Sequence, residues 1–177
     1  MGLFLLSSVT ASADATVEFT GIDATYNEYQ FHFVNMHPGT DNVNFQFQVN
    51  ASGETGFNET MTTTLFLANH NEADTAANLQ YFTYQDQAQG TAYQTIGLFT
   101  GADNDQNTSG VLTLYAPSST TYVKHFVSSS NSTHQSDWSH VAHVGGYINT
   151  TAAIDEISFR FESGNIDAGS IHMYGVG

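Results

Sequence analysis

The chain has 177 residues, and its 17 Asp and Glu residues face only two Lys and Arg, which gives a formal net charge of −15 at pH 7. A surface of that sign repels the phosphates of nucleic acids and the anionic headgroups of membranes, so neither partner is expected. The sequence contains no cysteine, which excludes disulfide bonds. No stretch is apolar over the roughly 20 residues that a membrane-spanning helix needs.

Composition and pattern together predict an all-β protein. Hydrophobic residues make up 40% of the chain, and 13 Phe and 9 Tyr can build a sizeable core. Thr, Ser, Asn and Gly accompany them, as is typical of strands and turns. About ten short alternating segments are separated by turn signals, and no linker divides them. We expect one antiparallel β-sandwich domain over residues 1–177, with little or no helix.

The chain begins with a short apolar run at residues 2–6. This run has no basic segment in front of it and is shorter than the apolar core of a signal peptide. We therefore expect residues 1–12 to form either an N-terminal arm that docks on a neighbouring subunit or an edge strand.

Residues 27–50 carry the clearest strand pattern. In two halves, aromatic and Val residues alternate with Gln, His and Asn, so that each set lies on one face of a strand. Between the halves, residues 37–41 include a Pro, a Gly and an Asp, which favour a turn. The pattern predicts a β-hairpin with an amide-rich, solvent-exposed face and a buried aromatic face. The buried rings are those of Tyr29, Phe31, Phe33, Phe45 and Phe47.

Three later segments give further predictions. Residues 75–80 are the one stretch where we expect a helical turn. The Gly145-Gly146 pair falls within a strand over residues 138–147 and predicts a bulge or a close backbone approach. Apolar residues at alternate positions of 154–162 predict a second strand with one buried face.

Residues 103–107, Asp-Asn-Asp-Gln-Asn, alternate oxygen ligands as the start of a calcium loop does. Such a loop would also need Gly at its sixth position and Glu at its twelfth, where this chain has Thr108 and Leu114. We interpret the segment as a polar turn and assign no metal site. Cation binding by Asp103 and Asp105 stays open as an alternative.

His140 and His143 offer two imidazoles, which are common ligands of transition metals. Residues three apart on a strand point to opposite faces, so the pair cannot share one metal ion. The sequence places no third ligand beside either of them. We therefore interpret both as ordinary histidines.

The carboxylates do not form a catalytic pair. Glu156 and Glu162 share a strand face but lie about 20 Å apart at strand rise. Glycoside hydrolysis needs two carboxyls roughly 5–9 Å apart. Arg160 lies between them on the same face, which predicts a surface charge cluster. No nucleophile motif is present either. We assign no catalytic or cofactor-binding residue and expect no enzyme activity and no cofactor.

Trp138 is the only tryptophan and lies in a polar stretch. A flat apolar ring can stack on the face of a sugar. We therefore name Trp138, together with Tyr122 or Tyr147, as the place for a sugar contact. The alternative is that Trp138 is a partly buried structural anchor.

Four segments carry a resemblance to a known group of proteins. They are FTGIDATYNEYQFHFVNMHP at 19–38, DNVNFQFQVN at 41–50, GVLTLYAPSSTTYVKHF at 110–126 and GYINTTAAIDEISFRFESGNIDAGSIHMYG at 146–175. In these segments and their order, the chain resembles small virion structural proteins of marine tailed bacteriophages. The resemblance implies a jelly-roll or related β-sandwich that serves as a capsid decoration or as a tail or fibre component. It implies no enzyme activity and no site residue.

We therefore expect a bacteriophage virion structural protein, located in the virion. It would assemble symmetrically, as a homotrimer, and contact other virion proteins on the capsid or tail. The alternative is a carbohydrate-binding β-sandwich module for attachment to a host surface, with a glycan as its partner.

Overall fold

The computed structural model describes residues 2–177, which form 13 strands and one short 3-10 turn at Thr83–Gln85. The strands are β1 Leu3–Thr10, β2 Val17–Thr20, β3 Glu28–Pro38, β4 Val43–Ala51, β5 Met61–Asn71, β6 Ala77–Tyr81, β7 Ala88–Gly90, β8 Gln94–Thr100, β9 Thr108–Tyr115, β10 Lys124–His134, β11 Trp138–Ile148, β12 Ile154–Phe161 and β13 Ile166–Val176. The predicted all-β antiparallel sandwich is confirmed. Among the described residues, no helix is long and apolar enough to span a membrane.

Two antiparallel sheets pack face to face around the core. The larger sheet has the strand order β1-β13-β3-β9-β10-β11-β5-β6, with β7 beside β5. The smaller sheet has the order β2-β12-β4-β8. The two sheets share a pattern, since β13 lies between β1 and β3 in the larger sheet and β12 lies between β2 and β4 in the smaller sheet. The chain crosses from the larger to the smaller sheet between β1 and β2 and between β3 and β4, and it crosses back between β12 and β13.

Residues 27–50 do not form a hairpin, which corrects the prediction. The first half, β3, pairs with β13 and β9 in the larger sheet, whereas the second half, β4, lies between β12 and β8 in the smaller sheet. All five aromatic rings are buried, as the alternation predicts. They meet across the sandwich, and the ring centroids of Phe33 and Phe45 lie 5.2 Å apart.

The amide-rich face of β4 is not exposed to solvent, which corrects a second prediction. Every residue of β4 is buried, because the loops before β5 and β8 lie over its outer face. The side-chain NH2 of Gln48 donates to the backbone carbonyls of Glu59, Thr91 and Ala92. These loops supply the acceptors that a buried amide requires.

The helical turn predicted at residues 75–80 is wrong. Ala77–Tyr81 forms strand β6, which pairs with β5 at one edge of the larger sheet. Leu79 and Tyr81 lie opposite Ala68 and Phe66, so their apolar side chains share the outer face with those of β5. Cross-strand pairing therefore outweighs the local preference for a helix.

Strands β11 and β12 test two of the predictions made from the sequence. In β12, Ile157, Phe159 and Phe161 are buried as the alternation predicts. Strand β11 passes Gly145 and Gly146 in regular register with both neighbours, so no bulge forms. A Cβ on Gly146 would lie 2.6 Å from the Thr62 carbonyl oxygen, which makes this the close backbone approach.

Residues 3–10 form β1, the edge strand of the larger sheet, which pairs with β13 alone. Met1 lies outside the described residues. The apolar side chains of Leu3, Phe4, Leu5 and Leu6 are all exposed. The edge strand therefore presents an apolar surface that the core does not use, and it contains no charged residue to protect it from pairing.

Serines of β10 join the larger sheet to β8, the edge strand of the smaller sheet. The hydroxyls of Ser130 and Ser132 donate to the backbone carbonyls of Ile96 and Leu98. These carbonyls would otherwise be unpaired at a buried sheet edge. The sandwich is thereby closed on this side by side-chain hydrogen bonds.

Candidate functional site

Acidic residues are almost absent from the strands of the larger sheet. Of the 17 in the chain, these nine strands contain only Glu28, at the start of β3, and Asp167, near the start of β13. Both cations are also withdrawn from its outer face, because Lys124 points inward and is fully buried and Arg160 belongs to the smaller sheet. In a strongly acidic molecule, the outer face of the larger sheet carries acidic residues only near the ends of two strands, at Glu28 and Asp167.

A single row of cross-strand neighbours shows the character of this outer face. The row runs Ser8, His172, His32, Val111, Ser129, His143, Phe66, Tyr81 from one edge to the other. Hydroxyls, imidazoles and apolar side chains therefore share the surface. Burial, and next the neighbouring His172, lower the pKa of His32, so the imidazole of His32 is neutral at pH 7.

A groove of about 440 Å³ crosses the middle of the outer face. Its walls include Val111, Phe66 and His143, and Val127 with Gly145 lies along its length. Gly145 contributes no side chain, so the sheet surface is lowest beside Val127. The exposed apolar side chains in this groove, together with its lack of charge, fit an apolar partner surface.

The predicted polar turn at Asp103 and Asp105 is present. The backbone N–H of Gln106 donates to the Asp103 carbonyl over 2.8 Å, and the Gln106 side chain accepts from the Asp103 N–H. Both carboxylates are exposed. Within residues 2–177, no three His, Cys, Asp or Glu side chains group as a metal site requires.

His140 and His143 point to opposite faces of the larger sheet, as their spacing predicts. His143 is exposed on the outer face, whereas His140 points inward and is 6% exposed. They line two different cavities. In the described chain, neither belongs to a group of three or more His, Cys, Asp or Glu side chains that could hold a metal ion.

The charge cluster predicted around Arg160 does not form. Glu156 accepts a hydrogen bond from Asn50, and Glu162 accepts one from Asn44. Arg160 instead packs over a tyrosine ring. The two glutamates predicted to pair with Arg160 are thus hydrogen-bonded to buried amide side chains of β4 instead.

Trp138 does not lie beside the tyrosines named with it. Trp138 and Tyr147 occupy opposite ends of β11, and nine residues of strand separate them by about 30 Å. Tyr122 precedes β10 at the same end as Tyr147, since Lys124 pairs with Ile148. Trp138 instead lies at a separate pocket at the other end of the sandwich.

The pocket at Trp138 has a volume of about 280 Å³ and lies where the inner face of the larger sheet extends beyond the smaller sheet. Its lining residues are Asn42, Asn69, Phe99, His134, Trp138 and His140. None of them is acidic, and four of the six carry rings. The sequence offers one signal for it, since Trp138 and His140 are two apart and share a strand face. The other residues come from three different strands and one loop, which no local pattern could reveal.

The aromatic wall of the pocket is tightly packed. The ring centroids of His134 and His140 lie 5.2 Å apart, and Phe99 approaches His140 at 5.6 Å. Phe99 has a φ of +51°, which is rare for an aromatic residue, and β8 is irregular here against β4. The Phe99 ring packs against the edge of the core and also lines the pocket.

Two polar atoms in the pocket wall are buried without a hydrogen-bond partner, Asn69 Oδ1 and His140 Nδ1. Burial first, and then the nearby His134, lower the pKa of His140 to about 4, against a hydrogen bond with the Leu98 backbone that raises it. His140 is therefore neutral at pH 7. Its Nδ1 accepts or donates a hydrogen bond according to the tautomer of the ring.

Comparison of the sequence with protein-family models and with curated proteins finds no match.

Proposed function

We propose that the protein is a bacteriophage virion structural subunit without enzyme activity, which assembles with copies of itself through the outer face of the larger sheet. The observation that carries this proposal is the exclusion of acidic residues from that sheet. Two copies that each carry −15 repel one another at most approaches. They can approach closely only where the charges are absent.

The outer face is large enough for a stable contact. Eight strands lie side by side in it, so its width is about 34 Å at the usual strand spacing. With central strands of 11 residues, its area is on the order of 1,000 Å². A stable interface buries about 800 Å² on each partner, so the face can provide one.

The complementary surface is the exposed apolar side of β1. The side chains of Leu3, Leu5 and their neighbours lie at the sheet edge, whereas the groove with Val127 lies at its centre. A patch on one copy that fits a groove elsewhere on the next gives a head-to-tail contact, and such a contact forms a ring where the rotation between copies closes. We keep the homotrimer as the expected ring, with β1 of each copy in the groove of its neighbour.

The virion location rests on the resemblance of residues 19–38, 41–50, 110–126 and 146–175 to phage virion proteins. Mass spectrometry of purified particles tests it. We expect the protein in particles at a fixed copy number that is a multiple of three. Its absence from washed particles would contradict the proposal.

Light scattering after size-exclusion chromatography, over a range of salt concentrations, tests the assembly. We expect a mass of three times 19.2 kDa, favoured at higher salt because screening weakens the repulsion between acidic copies. Val127→Asp and Leu5→Asp place a charge on each side of the contact and are expected to give folded monomers. Tyr84→Asp changes a residue that is 89% exposed and outside the groove, and should leave the trimer intact. A wild-type monomer at every salt concentration would overturn the proposal.

A second candidate function is carbohydrate binding for attachment to a host surface. The specific observation that favours it is the uncharged aromatic pocket at Trp138. A glycan array probed with the wild-type protein tests it, and the absence of any binding would reject it.

A further inference from the structure

We infer that the pocket at Trp138 is a binding site for one neutral sugar ring, held between aromatic side chains and hydrogen-bonded through its hydroxyls. This inference rests on the second candidate function and assigns it a site. The pocket is distinct from the outer-face groove, because its residues project from the inner face of the larger sheet.

The size of the pocket selects a small ligand. At about 280 Å³ it falls just below the roughly 300–1,000 Å³ of sites for drug-sized molecules. A single six-membered ring fits this space, and a chain of sugars would extend from it into solvent. The pocket therefore suits the terminal residue of a glycan.

The charge of the pocket selects a neutral ligand. Its lining has two amides, two imidazoles, one indole and one phenyl ring, and no carboxylate. The low pKa of His140 keeps that ring uncharged at pH 7. Aromatic faces such as Trp138 match the apolar face of a sugar.

The unpartnered atoms select a ligand that donates hydrogen bonds. Asn69 Oδ1 is an acceptor, His140 Nδ1 accepts or donates according to its tautomer, and each is buried without a partner. Leaving a buried polar atom unpaired is costly, and a ligand hydroxyl, which both donates and accepts, would recover that cost at either atom. Asn69 and His140 are cross-strand neighbours, so two hydroxyls of one sugar ring can serve both.

The strain at Phe99 supports the same assignment. A non-glycine residue with φ of +51° is strained, and strained residues cluster at ligand sites. Here the Phe99 ring lies 5.6 Å from the ring of His140 in the pocket lining.

The test uses Trp138 as its own reporter, because it is the only tryptophan in the chain. The wild-type protein is titrated with a panel of neutral methyl glycosides, and with neutral nucleosides as a different class of ring. We expect a saturable change in Trp138 fluorescence with at least one glycoside. Asn69→Ala removes one acceptor from a half-buried position and should weaken binding about tenfold.

His140→Phe keeps an aromatic ring but removes the second unpartnered polar atom, and should weaken binding by a similar factor. If this variant fails to fold, Asn69→Ala alone carries the test. Tyr122→Ala, at a residue 73% exposed and at the other end of the sandwich, should bind as the wild type does. No saturable change with any glycoside would overturn the inference, as would binding that both pocket variants retain or a response to nucleosides alone.

The glycan array separates this inference from the function on which it rests. Array binding without a Trp138 response would leave the carbohydrate-binding function in place and reject the pocket. The absence of both would reject the two together.

Discussion

The guanidinium carbon of Arg160 lies 3.9 Å from the centroid of the Tyr93 ring, so one of the two cations in this acidic chain packs on an aromatic face rather than on a carboxylate. The Tyr93 hydroxyl also donates to Ser158 over 3.1 Å. Tyr93 belongs to the loop before β8, and Arg160 and Ser158 belong to β12. This contact holds the loop over the smaller sheet.

Replacement of Tyr93 is expected to destabilise the fold in two separable steps. Tyr93→Phe removes the hydrogen bond and should cost about 1 kcal/mol. Tyr93→Ala also removes the cation–π contact, worth about 0.5–1 kcal/mol, and should cost about 2 kcal/mol in total. Urea unfolding of both variants measures this order, and equal losses would show that the ring contributes nothing beyond its hydroxyl.

Acid should weaken the fold through His140. Its pKa is about 4 when folded and about 6.5 when unfolded. Between these values the unfolded chain binds a proton that the folded protein does not, so stability falls as the pH drops from about 6.5 to 4, by about 3 kcal/mol. His140→Phe should remove this slope. Unfolding at several pH values measures the difference between variant and wild type, and an unchanged slope would contradict the assignment.

The adjacent glycines of β11 should respond oppositely to alanine. A Cβ on Gly146 would meet the Thr62 carbonyl oxygen at 2.6 Å, and Gly146→Ala should cost about 1–3 kcal/mol. A Cβ on Gly145 would have its nearest contact at 3.6 Å, so Gly145→Ala should stay within about 0.5 kcal/mol of the wild type. Thermal unfolding of the pair compares them directly. Equal losses would show that the close approach is not the cause.

The serines of β10 that bond to β8 should contribute more to the stability of the fold than the serine of β10 that faces outward. Ser130→Ala leaves the buried Ile96 carbonyl without its donor and should cost about 1–3 kcal/mol. Ser129→Ala changes the next residue, which faces outward, and is the matched control with an expected loss below about 0.5 kcal/mol. Similar losses of stability for both variants would show that the strand propensity of serine, and not the hydrogen bond to β8, causes the loss.

The sequence could predict which side chains are buried better than where the strands lie. Alternation through Phe31 and Phe45 predicts a buried face for each strand, but it carries no information on which sheet a strand joins. The hairpin prediction failed at this point, because a turn signal and a crossing between layers have the same composition. Gln48 shows a second limit, since a polar residue on an outer face is exposed only if no loop covers it.

The sequence could predict only the part of the Trp138 pocket that strand β11 forms. Trp138 and His140 share a face of β11, and the periodicity of a strand is enough to place them together. Phe99 reaches them through a strand irregularity and a positive φ, and His134 through a cross-strand pair. Both relationships depend on tertiary register, which the local sequence does not encode.

The burial of the cations has a practical consequence for limited digestion. Trypsin cleaves after Lys and Arg, and the chain offers it only Lys124, fully buried in β10, and Arg160, in β12. Lys124 pairs with Ile148 of β11, and Arg160 pairs with Gln46 of β4. A protease needs its substrate extended and unpaired, so neither peptide bond can enter its cleft until a central strand leaves its sheet. The rate of tryptic cleavage should therefore follow global opening of the molecule. Fraying of the edge strands should not change this rate.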